Sequence, residues 1–158
     1  MKKVLIALDF DPSAQKIAET GYELAKSMNA QVTLLHVVAD ATYYSSLNYS
    51  PIMGFDSFSN LDIVQTDAVT GLKEAAQNYL DKSKHYLGDE TIQTIIKDGD
   101  FGEGILEAAK EIKADIIVMG THSRSGLDKI LMGSVAEKVL HKSFIPLFII
   151  PTKNVVEK

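Results

Sequence analysis

Val4-Leu5-Ile6-Ala7-Leu8 is a continuous apolar run stopped by Asp9. It lacks the alternation of a half-exposed strand and predicts a strand buried on both faces, the pattern of a parallel sheet. Pro12 and Ser13 then open a helix. Ile17, Tyr22, Leu24, Ala25 and Met28 recur at helical spacing as far as Asn29. Val32 to Val38 is a second apolar run and a second strand. A strand, a helix and another strand of the same buried kind describe one parallel crossover, and the rest of the chain repeats the unit.

Residues 39–62 have no clean period and carry Pro51, Gly54 and several Ser and Asn, so they read as a long loop insertion. It leaves strand two's end, and its aromatics, Tyr43, Tyr44, Tyr49, Phe55 and Phe58, suit a lid or a partner surface, with a poorly ordered insertion an equal expectation. From Ile63 to Leu87 the residues Val64, Ala68, Leu72, Ala75, Ala76, Tyr79 and Leu80 fall on one helical face, and Gly88 ends the helix. Thr91 to Ile96 reads as a third strand, Gly102 to Ile112 as a helix, and Asp115 to Met119 as a fourth strand closing at Gly120. Gly133 to His141 is a helix, and Leu147 to Ile150 a fifth strand between Pro146 and Pro151. Strands alternating with helices predict an α/β fold, a single doubly wound five-stranded parallel sheet with helices on both faces. Residues 1–152 read as one domain and 153–158 as a short polar tail.

Composition narrows the function. The chain has 158 residues, 46% of them apolar and 23% charged, the balance of an ordinary globular protein. The absence of cysteine excludes disulfides, thiolate metal sites and cysteine nucleophiles. The formal net charge of −5 without a basic stripe argues against nucleic acid as a partner. The basic start, Met1-Lys2-Lys3, precedes an apolar run too short for a secretory core of roughly 7–15 residues. No stretch approaches the ~20 apolar residues of a membrane span. The expectation is a cytoplasmic protein. His36, His85, His122 and His141 share no metal-ligand spacing, and no catalytic motif or catalytic residue stands out.

In an open parallel sheet, ligands sit beyond the carboxyl ends of the strands where strand order reverses. That rule selects Asp9, the His36-Val37 pair and the segment from Gly120 onward. Gly120 stands at a strand end, where a glycine lets backbone approach a ligand. Gly133-Ser134 opens a helix whose first amides point outward toward any anion, and the Ser hydroxyl adds a donor. His122, Arg124 and Lys129 bring imidazole and cations to the same loop. Read without further context, Gly133-Ser134 is equally an ordinary turn and cap.

Together, Asp9, His36-Val37 and Gly120 to Val135 resemble the universal stress protein family over Lys3 to Thr152. Its fold is Rossmann-like, of the adenine nucleotide alpha hydrolase-like kind. Its ATP-binding members carry a glycine, two residues, a second glycine, nine residues, then Gly followed by Ser or Thr. Gly120 and Gly133-Ser134 match, whereas Ser123 replaces the middle glycine. By this resemblance the ligand is ATP or AMP with Mg²⁺. Asp9 lies against adenine or ribose, Val37 at the adenine, and Met119 and Gly120 beside ribose and phosphate. Ser123 falls where the phosphate loop turns, and Gly133, Ser134 and Val135 donate to the phosphates. His122 and Arg124, in the same loop, suit either phosphate contact or plain solvation. The resemblance also implies a homodimer through Leu147 to Ile150 and a role as a stress-response regulator or switch. A slow ATPase and a dimeric interaction protein without nucleotide are the alternatives.

Overall fold

The strand Lys3–Ala7 (β1) is the centre of the sheet, and its Val4, Leu5 and Ile6 have no solvent exposure. The structure, a computed structural model, describes residues 1–9, 13–38, 61–121 and 133–152, with the side chains of 61–70 excepted. The remaining elements are α1 (Ala14–Ser27), β2 (Gln31–Val38), α2 (Leu61–Leu87), β3 (Gln93–Asp98), α3 (Phe101–Ile112), β4 (Ile116–Gly120), α4 (Ser134–Lys142) and β5 (Leu147–Ile150). The strands pair in the order β3-β2-β1-β4-β5, all parallel. The chain winds outward from β1 to β3, then crosses back and winds outward through β4 to β5. Strand order therefore reverses between β1 and β4.

Alternate residues of the strands feed two cores. Val4, Ile6, Leu34, Val118 and Ile150 pack with α1 residues such as Ile17 and Ala18 and with Leu80 of α2. Leu5, Leu35, Val37, Ile117 and Met119 pack with Ile105 and Ala108 of α3 and Ala136 and Val139 of α4. Helices α1 and α2 thus cover one face, and α3 and α4 the other, as the buried strand runs predict. Each fully buried aliphatic side chain contributes roughly 1.5–3 kcal/mol. Across the second face Lys138 bridges to Asp100, the N-cap of α3, at 2.8 Å, and Lys142 to Glu103 at 2.8 Å.

The boundaries differ from the sequence reading where turn chemistry intervenes. Thr91 is not in β3: its amide and hydroxyl both donate to the Asp89 carboxylate, holding a turn that delays the strand to Gln93. Asp115 stands just outside β4, its Oδ2 accepting from the Lys3 amide at 2.8 Å while its own amide donates to the Lys3 carbonyl. Gly88 ends α2 in the left-handed region at φ 73°, as expected of a C-terminal glycine. In α1 the buried face is Ala14, Ile17, Ala18, Gly21 and Ala25, so Tyr22 and Leu24 flank the core rather than fill it. A Cβ on Gly21 would come within 2.9 Å of Ile6 Cδ1 and 3.0 Å of Val118 Cγ1. The glycine lets α1 lie directly across β1 and β4.

Candidate functional site

Strand order reverses between β1 and β4, and in open parallel sheets ligands bind in a crevice at the carboxyl ends of such a pair. Those two ends are the lips of the switch point. On the β1 side the chain continues through Leu8 to Asp9, which is half-buried. Leu8 has left the strand proper, yet its amide still donates to the Leu35 carbonyl at 2.8 Å. His36 is buried on β2 and contacts the Leu8 carbonyl through Nδ1 at 2.8 Å. A carbonyl only accepts, so Nδ1 carries the proton and the neutral ring is the Nδ1–H tautomer. Burial pushes the imidazole below its usual range, and the carbonyl contact only partly opposes this. Tyr79 of α2 donates its hydroxyl to the Asp9 carbonyl at 2.6 Å. The rings of His36 and Tyr79 meet edge to face, 6.1 Å between centroids.

On the β4 side, Gly120 ends the strand opposite Ile150. The space its Cβ would fill holds Ile17 Cδ1 at 2.6 Å and Thr152 Cγ2 at 2.7 Å. The sequence reading gives this glycine to close approach by a ligand; the structure gives it a packing reason of its own. Thr121 donates its amide to the Ile150 carbonyl and faces Thr152, hydroxyl to hydroxyl, at 3.2 Å. Its carbonyl accepts the Gly133 amide at 2.6 Å, which ties the start of α4 to the end of β4.

Gly133 is the N-cap of α4, with φ −61° and ψ 158°, ordinary extended backbone. With no side chain it caps nothing, and its amide is engaged by Thr121. The donors the helix leaves without an internal partner are therefore those of Ser134, Val135 and Ala136. Ser134 is exposed and Val135 half-exposed. Glu137 adds a carboxylate to the first turn. Val37 turns its side chain into the core, where its methyls stand against Gly104 of α3. Any ligand contact at Val37 therefore falls to its main chain. Met119 is likewise buried in that core. His122, Ser123 and Arg124 lie outside the described residues.

Asp9, Gly120 and Ser134 all fall at the carboxyl end of the sheet. The feature the sequence reading missed is Tyr79, which it placed on the apolar face of α2. A half-buried tyrosine needs a partner for its hydroxyl, but only the fold names the Asp9 carbonyl as that partner. Among the described residues no group of three His, Cys, Asp or Glu could hold a metal ion, and no helix is long and apolar enough to cross a membrane.

The chain matches the universal stress protein family over residues 1–151. Universal stress protein MJ0577 of Methanocaldococcus jannaschii is 31% identical over 157 residues, covering 97% of this chain and 96% of that protein. Universal stress protein A of Escherichia coli is 26% identical, with 97% and 96% covered. Among solved structures, MJ0577 superposes with a TM-score of 0.74 at 28% identity over 97% of both chains. A universal stress protein solved in complex with cAMP superposes with a TM-score of 0.61 at 19% identity, over 96% of this chain and 98% of that one, a likeness of fold alone. A five-stranded parallel sheet of this order, matched along almost its whole length by these relatives, establishes that the chain belongs to the universal stress protein family.

Proposed function

We propose that this chain binds an adenine nucleotide, ATP or AMP, across the crevice between β1 and β4 and acts as a nucleotide-dependent regulator in a stress response. The observation that carries the reading is the opening of α4 beside the end of β4, tied there by the Gly133 amide on the Thr121 carbonyl. Its first-turn amides and the exposed Ser134 hydroxyl suit phosphate, with the helix dipole in support. Asp9 on the other lip suits the adenosine part, and His122, Ser123 and Arg124 belong to the phosphate loop in this reading. A family member solved with cAMP is consistent with an adenine ligand. In this reading Mg²⁺ arrives with the phosphates and its waters.

Mass spectrometry of small molecules released from freshly purified, denatured protein tests the reading. Isothermal titration with ATP, AMP, cAMP and GTP tests it further. Adenine nucleotide in the first and selective adenine binding in the second are the expected results. Absence of binding at millimolar concentration removes the proposal.

The same reading includes a homodimer through β5. Among the described residues that strand is an edge, paired only to β4, and Phe148 remains 38% exposed on it, with Leu140 and Phe144 exposed nearby in sequence. An uncovered apolar edge invites pairing with a second copy about a two-fold axis. Ile149 turns into the core, so Phe148 is the side chain to test. Light scattering coupled to size exclusion is expected to give a dimer mass that Phe148→Asp lowers toward the monomer. A monomeric wild type excludes the dimer.

A further inference from the structure

The segment leaving β1 is held by two side chains from two different elements, and both grip its main chain. The Leu8 carbonyl belongs to the peptide plane before the Asp9 Cα, and His36 of β2 holds it at 2.8 Å. The Asp9 carbonyl belongs to the plane after that Cα, and the Tyr79 hydroxyl of α2 holds it at 2.6 Å. The Leu8 amide is fixed as well, on Leu35. Peptide planes are rigid, so the only soft torsions at a residue are the two that join its flanking planes. Holding each plane by its carbonyl restrains both torsions of Asp9 and so the direction of its Cα–Cβ bond. The edge-to-face contact between the two rings makes each side chain part of the other's support.

We propose that His36 and Tyr79 are positioning residues of the nucleotide site, which aim the Asp9 side chain by pinning the two peptide planes that flank it. The inference rests on the reading of Asp9 as a nucleotide contact. It adds two residues that serve the ligand through Asp9. It also makes α2, which packs on the sheet face, a mechanical part of the site through Tyr79.

The test is a double-mutant cycle on the full chain, with ATP affinity read by isothermal titration and folding by thermal melts. Tyr79→Phe keeps the ring and removes only the hydroxyl. It is expected to weaken ATP about three- to tenfold, the factor of one neutral hydrogen bond. Adenosine is expected to weaken by the same factor. In an Asp9→Ala background the same substitution is expected to change nothing, because the group being aimed is gone. His36→Leu should follow the same cycle and His36→Asn, which keeps a donor near the position of Nδ1, should restore part of the loss. Should Tyr79→Phe fail to fold, the His36 arm decides. Wild-type affinity in Tyr79→Phe overturns the inference. So does an equal loss in both backgrounds, which marks a general structural role, and so does an Asp9→Ala variant that binds like wild type. A wild-type chain that binds no ATP removes the nucleotide reading and this inference with it. Intact wild-type binding alongside a silent Tyr79→Phe removes this inference alone.

Discussion

At the β1 lip of the crevice, Leu8 and Asp9 are held by polar atoms of two side chains, His36 Nδ1 and the Tyr79 hydroxyl. At the β4 lip, Gly120 and Thr121 are held by close packing against Ile17 and Thr152 and by main-chain bonds to Ile150 and Gly133. The first lip depends on individual donors and on the protonation of one imidazole. The second depends on volume and on backbone geometry that no titration touches. The two sides of the switch point therefore fail under different insults, and substitutions can tell them apart.

The largest effect is expected from volume on the β4 lip. Gly120→Val forces methyls into space already held by Ile17 and Thr152 and should destabilise the fold by about 2–3 kcal/mol, the upper range for overpacking. Chemical denaturation measures it. A near-neutral result breaks the comparison, because the lip would then have slack.

Next comes the helix start on the same lip. If the Ser134 hydroxyl donates to a phosphate, Ser134→Ala should weaken ATP by about 1.5–3 kcal/mol, the range for a hydrogen bond to a charged group. Adenosine affinity should stay where it is. Equal losses for both ligands would instead mark damage to α4.

The β1 lip answers to donor loss and to pH. His36→Leu removes the donor from the Leu8 carbonyl and should cost about 1–2 kcal/mol of stability. The pH dependence carries a definite sign. Burial holds the folded-state pKa of His36 below its ordinary 6.5, so below that pH the unfolded chain binds more protons than the folded one. The stabilisation is complete above pH 6.5 and is lost as pH falls toward the folded-state value. Urea denaturation across this range should show that slope in wild type and a flatter one in His36→Leu. Gly120→Val should shift the curve without changing its slope, which sharpens the contrast between the lips.

The smallest effect concerns capping. Gly133→Ser offers the first turn of α4 a side-chain acceptor and should stabilise the unliganded protein by a few tenths of a kcal/mol, roughly the difference between Gly and Ser as N-caps. The same acceptor occupies an amide that the phosphate reading needs, so ATP affinity should fall as stability rises. Thermal melts and titration of one variant read both signs. Parallel gains in stability and affinity would remove the phosphate from the first turn.

The sequence by itself determined the alternation of strands and helices and the burial of the sheet on both faces. Val4 to Leu8 and Val32 to Val38 carry continuous apolar runs that suit strands covered from both sides. It also located the carboxyl-end segments at Asp9, Gly120 and Gly133, because strand ends and helix starts are local events marked by local residues. Strand order lies beyond local pattern, since a parallel crossover is compatible with a neighbour on either side. The reversal between β1 and β4 is a property of the assembled sheet. Only the tertiary structure decided that Val37 faces the core, that Gly120 is glycine because Ile17 and Thr152 fill its side-chain space, and that the Gly133 amide is engaged by Thr121. Only it decided that Tyr79, read along the chain as one more residue on an apolar helix face, reaches across 70 positions to hold Asp9. Those assignments depend on which atoms meet across elements distant in sequence, and such meetings follow from packing rather than from the period of any one segment.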